Sequence, residues 1–226
     1  MSPTTTKPPA PKRPKVRVGR PSRDRAGEVD DRILDAAFQL FMERGLEGTS
    51  LDEIARVARA SKPSIYARFA TKEALFGAVI LRTAGNVRGG FDGPLATGGN
   101  AEERLVSLGK GMLHRMLSGP SIDLMRLAVA ELKRLPQLAN VGRTARERGA
   151  QAISQVLKEI GQSQEMAGSP AFAPDRLDAT THYFLDLVIG PFMLRALLHG
   201  DTIDVLRPEI ETHVPRAVAF FLSACR

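Results

Sequence analysis

The sequence predicts an all-α fold in two parts, a small N-terminal helix-turn-helix unit of three helices and a larger helical domain. Three observations predict it. Apolar residues recur at helical spacing along most of the chain, proline and glycine interrupt these runs at intervals, and strand-like alternation appears nowhere. The 226 residues, 43% of them hydrophobic, suffice for one small unit and one larger core.

The first 25 residues carry the charge asymmetry of the chain, which has 32 Lys and Arg against 25 Asp and Glu. Lys7, Lys12, Arg13, Lys15, Arg17, Arg20, Arg23 and Arg25 face only Asp24 there, so the remainder is balanced. Six prolines and few large apolar residues predict a disordered basic arm of the kind that binds polyanions. Within it, Gly19-Arg20-Pro21 flanked by Arg17 and Arg23 resembles an AT-hook core, whose arginine lies in a narrow minor groove. A plain electrostatic tether to phosphates is the alternative.

Val29, Ile33, Ala36, Ala37, Leu40 and Phe41 form the stripe of a first helix that Gly45 ends. Residues 50–72 then read as two short helices joined by a tight turn. Ser50 and Glu53 have capping-box spacing, with the hydroxyl accepting from the Glu53 N–H and the carboxylate reaching back to Ser50. Leu51, Ile54, Ala55 and Ala58 supply that helix's buried face. Ser61 caps the next helix, and Pro63 sits in its first turn, where a missing N–H loses no bond. Ile65 and Phe69 point that helix inward, leaving Lys62, Ser64, Tyr66, Ala67 and Arg68 on its other faces. Such a surface suits DNA. A lysine donates to guanine edges, proline or alanine lies against a thymine methyl, and Ser, Tyr, Arg and Lys72 hold phosphates. An ordinary helical pair with a polar surface is the competing interpretation.

Residues 33–75 contain, in order, an ILDAA helix, Gly45, Gly48-Thr49-Ser50, Ile54-Ala55, Ser61-Lys62, Ile65-Tyr66, Phe69 and Lys72-Glu73-Ala74-Leu75. This succession resembles the N-terminal domain of the TetR family of one-component transcriptional regulators. One position departs from the pattern, because Arg59 stands where the turn between the two helices usually has glycine. Either the turn avoids a left-handed residue or Arg59 is strained, and its guanidinium is placed to reach a phosphate. The candidate DNA contacts are Arg17, Arg20, Arg23, Thr49, Ser50, Arg59, Ser61, Lys62, Pro63, Ser64, Tyr66, Ala67, Arg68 and Lys72. Residues 1–25 are then the arm, 26–72 the DNA-binding domain, and 73–226 the domain for ligand binding and dimerisation.

Thr71 begins a helix through Leu75, Phe76, Val79 and Ile80, followed by glycine pairs at 89–90 and 98–99 that read as a flexible connection. No phosphate-loop lysine follows them. Helices are predicted over 102–118, 121–135, 137–160, 175–199 and 209–224, with Gly190-Pro191 kinking the fourth by freeing the Leu187 carbonyl. The last two carry more apolar surface than one buried face needs. Phe184, Leu187, Val188, Leu194, Leu198, Val214, Val218, Phe221 and Leu222 are therefore candidates for a homodimer interface, and the resemblance implies the same four-helix arrangement. A helix buried at the centre of a monomer is the alternative. Met112, His114, Met116, Met125, Arg126, His182, Tyr183, Asp186 and Met193 are candidates to line a pocket for a small organic effector. This half also resembles, through LMRLAVAELKRLPQLA at 124–139, the effector domain of the AefR-like branch.

Other classes find no support. The four histidines and single cysteine form no catalytic or metal-binding motif, so no catalytic residue, metal or cofactor is assigned. Cys225 reads as a small apolar residue, and one cysteine permits no internal disulfide framework. The longest apolar run falls far short of the roughly 20 residues that span a bilayer, and no signal-peptide core opens the chain. The expectation is a cytoplasmic homodimer, most readily a repressor, released from a palindromic double-stranded operator by an unknown effector. An architectural DNA-binding protein without a ligand is the alternative, and a helical enzyme a remote one.

Overall fold

The computed structural model describes residues 23–85 and 99–226. Residues 1–22 of the basic arm, with Arg17 and Arg20, lie outside the described residues, as do the side chains of Arg23 and Arg25 and the connection through residues 86–98; residues 23–25, expected in the arm, already belong to the first helix. Among the described residues ten α-helices follow one another: α1 (Arg23–Arg44), α2 (Leu51–Val57), α3 (Lys62–Tyr66), α4 (Lys72–Gly85), α5 (Ala101–Met116), α6 (Gly119–Glu131), α7 (Leu138–Gly161), α8 (Leu177–Val188), α9 (Gly190–His199) and α10 (Ile203–Ala224). No strand occurs among the described residues.

The small core gathers Ile33, Ala37 and Phe41 of α1, Ile54 of α2, Ile65 of α3, and Leu75, Phe76 and Val79 of α4. Phe41 and Phe76 meet edge to face at 5.2 Å. Leu124 of α6 and Leu138 of α7 belong to the same cluster. A boundary at residue 72 therefore divides a continuous core, and α4 is shared between the two parts. Arg82 of α4 is held to α1 by the Asp31 carbonyl at 3.1 Å and the Asp35 carboxylate at 2.7 Å.

The larger core packs α5, α7, α8, α9 and α10 together. Asn100 and Glu103 form a reciprocal capping box at the start of α5, Glu103 N–H donating to Asn100 Oδ1 at 2.8 Å and Asn100 N–H to the Glu103 carboxylate at 3.2 Å. Ion pairs tie the surfaces: Lys110 with Glu211, Arg104 with Glu159, and Arg195 with both Glu209 and Asp201. Lys110 holds the Glu211 carboxyl below its usual range.

The predicted helix over 175–199 is two helices bent by 48°. Pro191 lacks the N–H that would bond the Leu187 carbonyl. That carbonyl instead accepts from His213 Nε2 of α10 at 3.1 Å, and the same imidazole lies edge-on to Phe192 at 5.2 Å. The final helix begins at Ile203 rather than 209 and runs through Pro208 and Pro215. Among the described residues no single helix is long and apolar enough to cross a membrane.

This packing corrects most of the predicted dimer surface. Phe184, Val188, Val214, Val218, Phe221 and Leu222 are buried inside the subunit's own core, with Phe184 and Phe221 in edge contact at 5.4 Å. Leu187 is half-buried against them. Leu194 and Leu198 do face outward, 59% and 70% exposed, together with Tyr183 at 71% and Phe220 at 67%. Spacing correctly marked stripes that must be buried, but it could not say whether the covering surface belongs to the same subunit.

Candidate functional site

The helix-turn-helix is built by its caps. Glu53 N–H donates to Ser50 Oγ at 3.2 Å, and Ser64 N–H donates to Ser61 Oγ at 3.2 Å, fixing the starts of α2 and α3. The expected return bond from Glu53 to Ser50 is absent from α2's cap, because the Glu53 carboxylate turns to Arg44 at the end of α1. The turn between the helices does contain a left-handed residue. Arg59 has φ +51° and is the one such non-glycine residue among those described. An L side chain there costs roughly 1–2 kcal/mol of backbone strain, and the guanidinium stays exposed.

Burying Ile65 puts the rest of α3 outward. Ser61, Lys62, Pro63, Tyr66, Ala67 and Arg68 are exposed, and Ser64 is half-buried. Lys62 Nζ donates to Asp52 Oδ2 at 2.6 Å, and this bond, with the attraction between the charges, raises the Lys62 pKa above its ordinary value. Tyr66 donates its hydroxyl to the other Asp52 oxygen at 3.4 Å. Arg68 pairs with Asp30 of α1 and donates to the Ser64 hydroxyl at 2.8 Å, while Lys72 reaches the Glu47 carbonyl at 3.4 Å. Thr49 does not belong to this surface by its side chain. It is 3% exposed and donates its hydroxyl to the Gly45 carbonyl at 2.9 Å and the Leu40 carbonyl at 3.2 Å, so it braces the turn. Ser50 remains exposed beside it.

Behind this unit lies a cavity of about 550 Å³ between α4, α5, α6, α7, α8 and α9. Its room comes from Gly142, Ala145 and Gly149, successive small residues on one side of α7. Met112, Met116, Met125 and Met193 line it from three helices, and Asp186 stands at 3.1 Å from Arg146 on its wall. The other predicted pocket residues lie elsewhere. Arg126 turns away to the Ala196 carbonyl at 2.9 Å and to Asp123 at 2.8 Å. His182 bonds the Asp178 carbonyl at 2.9 Å, Tyr183 is exposed, and His114 is half-buried outside the lining. Cys225 is buried, and burial raises its thiol pKa above the ordinary value. No cluster of metal-ligating side chains is found among the described residues.

Residues 33–79 match the family of bacterial regulatory proteins, tetR family, and residues 103–225 match the AefR-like transcriptional repressor, C-terminal domain, family. The chain belongs to the TetR family. A TetR-family protein from Mesorhizobium loti MAFF303099 superposes with a TM-score of 0.70 at 26% identity, covering 88% of this chain and 98% of that one. The flavonoid-responsive regulator FrrA does so with a TM-score of 0.64 at 30% identity over 88% and 98% of the two chains. The transcriptional repressor ComR of Escherichia coli K12 is 44% identical over 62 residues, 27% of this chain. That stretch spans only 30% of ComR.

In this TetR-family chain the contacts between the two sites are the ones that sequence spacing does not reveal. Ile80, Thr83 and Ala84 of α4 line the cavity one turn beyond Phe76 and Val79, which lie in the small core. Leu124 and Leu138 touch both. Just past the end of α6, Arg134 pairs with Glu47 of the turn before α2 and with Glu131 at 2.8 Å. Only the charges themselves could have hinted at that pair, which joins residues 87 positions apart.

Proposed function

We propose that this TetR-family chain is a cytoplasmic homodimeric repressor that reads a palindromic operator with α3 and leaves it when a small organic molecule fills the cavity. The observation that carries this reading is α4, one face of which lines the cavity while its neighbouring turn packs on the helices that position α3. A ligand shifts DNA affinity only by binding the DNA-fitting and non-fitting states unequally. A helix shared by both sites is where such a difference can be expressed.

The cavity lining favours a largely apolar, aromatic ligand with a polar edge. Four methionines supply adaptable contacts to ring faces and edges, and Arg146 and Asp186 offer a donor and an acceptor at one end. The likeness to FrrA, a flavonoid-responsive regulator, supports trying flavonoids first. A panel of flavonoids and simple phenolic acids, titrated against the protein bound to a duplex it has itself selected, tests the reading. At least one member is expected to raise the melting temperature of the free protein and weaken duplex binding about tenfold or more. Filling the cavity by Gly149→Phe should remove that response while duplex binding persists. Release of DNA that is unaffected by Gly149→Phe would place the effector elsewhere, and a ligand that stabilises the protein without changing duplex affinity would contradict the coupling.

A further inference from the structure

The surface that must receive a polyanion carries a carboxylate at its centre. Asp52 opens α2, is exposed, and accepts from Lys62 at 2.6 Å and from Tyr66 at 3.4 Å. Two of the outward side chains of α3 are therefore already engaged before DNA arrives. Random DNA offers Lys62 and Tyr66 phosphate oxygens, but accepting that exchange leaves the Asp52 carboxylate unpaired beside the phosphate backbone. A base edge offers a different exchange, since guanine O6 and N7 lie in the groove, away from the phosphates, and can accept from Lys62 while Asp52 keeps Tyr66.

We propose that Asp52 is a positioning residue for sequence reading, holding Lys62 and Tyr66 away from phosphates so that Lys62 is released at its site and poorly on other DNA. The inference rests on α3 being the reading helix. It assigns to Asp52 a deliberate weakening of non-specific binding, so the specificity ratio, and not affinity alone, is the quantity it sets.

The test compares wild type, Asp52→Asn, Asp52→Glu, Lys62→Ala and the Asp52→Asn/Lys62→Ala pair. Each is titrated, over a salt series, with a duplex selected from a randomised library by the wild type and with a scrambled duplex of the same composition. Asp52→Asn should bind scrambled DNA roughly three- to tenfold more tightly with a salt slope steeper by about one unit. Its affinity for the selected duplex should change less, so the specificity ratio falls. Asp52→Glu, which keeps the charge, should restore the ratio. In the Lys62→Ala background the Asp52→Asn change should have little further effect on the ratio, because the residue through which it acts is gone. An unchanged ratio in Asp52→Asn overturns the proposal, and so does a loss of helical content with weaker binding to both duplexes, which would make Asp52 a folding residue. A wild type that selects no sequence at all sinks the reading-helix assignment together with this inference, whereas failure of the Asp52 variants alone sinks only the inference.

Discussion

Phe221→Glu is expected to unfold the subunit rather than split a dimer. Phe221 is 4% exposed, meets Phe184 edge to face, and lies in one cluster with Val188, Val214 and Val218. Truncating such a ring alone costs about 3–5 kcal/mol. A carboxylate at the same place adds the cost of burying an unpaired charge. Against a typical total stability of about 5–15 kcal/mol, little remains. Thermal melting followed by circular dichroism should show a midpoint lowered by roughly 10–20 °C, or no cooperative transition. A variant that melts near the wild-type temperature and sediments as a monomer would return Phe221 to the interface.

The outward leucines should behave in the opposite way. Leu194 and Leu198 of α9, with Tyr183 of α8 and Phe220 of α10, leave large apolar side chains exposed on the last three helices of a single subunit. Exposed apolar patches of this kind mark association surfaces. Leu194→Glu combined with Leu198→Glu should change the stability of the isolated subunit by only about 0.5 kcal/mol per site, because both side chains are mostly exposed. If a second copy covers them, two desolvated carboxylates force the dimer apart. A monomer presents one reading helix instead of two set about 34–36 Å apart, and losing the linked second contact should weaken operator binding about 100-fold or more. Sedimentation at low micromolar concentration and duplex titration check both parts. An unchanged dimer would place the interface on another surface.

These two outcomes show where sequence reading succeeds and where it stops. Local chemistry was legible, as the caps at Ser50 and Ser61 and the inward Ile65 all depend on neighbours within a turn or two. The strain at Arg59 was legible as one of two alternatives, since a left-handed turn position and an L side chain conflict wherever they meet. Long-range partners were not. Glu53 is diverted from Ser50 by Arg44, Thr49 is drawn under the turn by two carbonyls, and the carbonyl freed by Pro191 is taken up by His213 from another helix. The final helix is expected from 209, yet α10 starts at Ile203 and continues through Pro208, because packing of Leu206 and Ile210 in the core outweighs one lost bond. The pocket was legible in its methionines and Asp186 but not in Arg126, His114, His182 or Tyr183, whose side chains are directed by tertiary contacts that spacing does not encode.

The central claim is that α3 of a symmetric pair reads a defined DNA site. Its most direct measurement is sequencing of the genomic or randomised DNA fragments that the purified full chain retains in the presence of excess competitor DNA. The account predicts enrichment of an inverted repeat whose half-sites lie one helical turn, or a multiple of it, apart, with binding about 10³-fold or more tighter than to scrambled sequence. Retention of fragments with no shared sequence, at an affinity set by salt and length alone, would contradict it and describe an architectural DNA-binding protein instead.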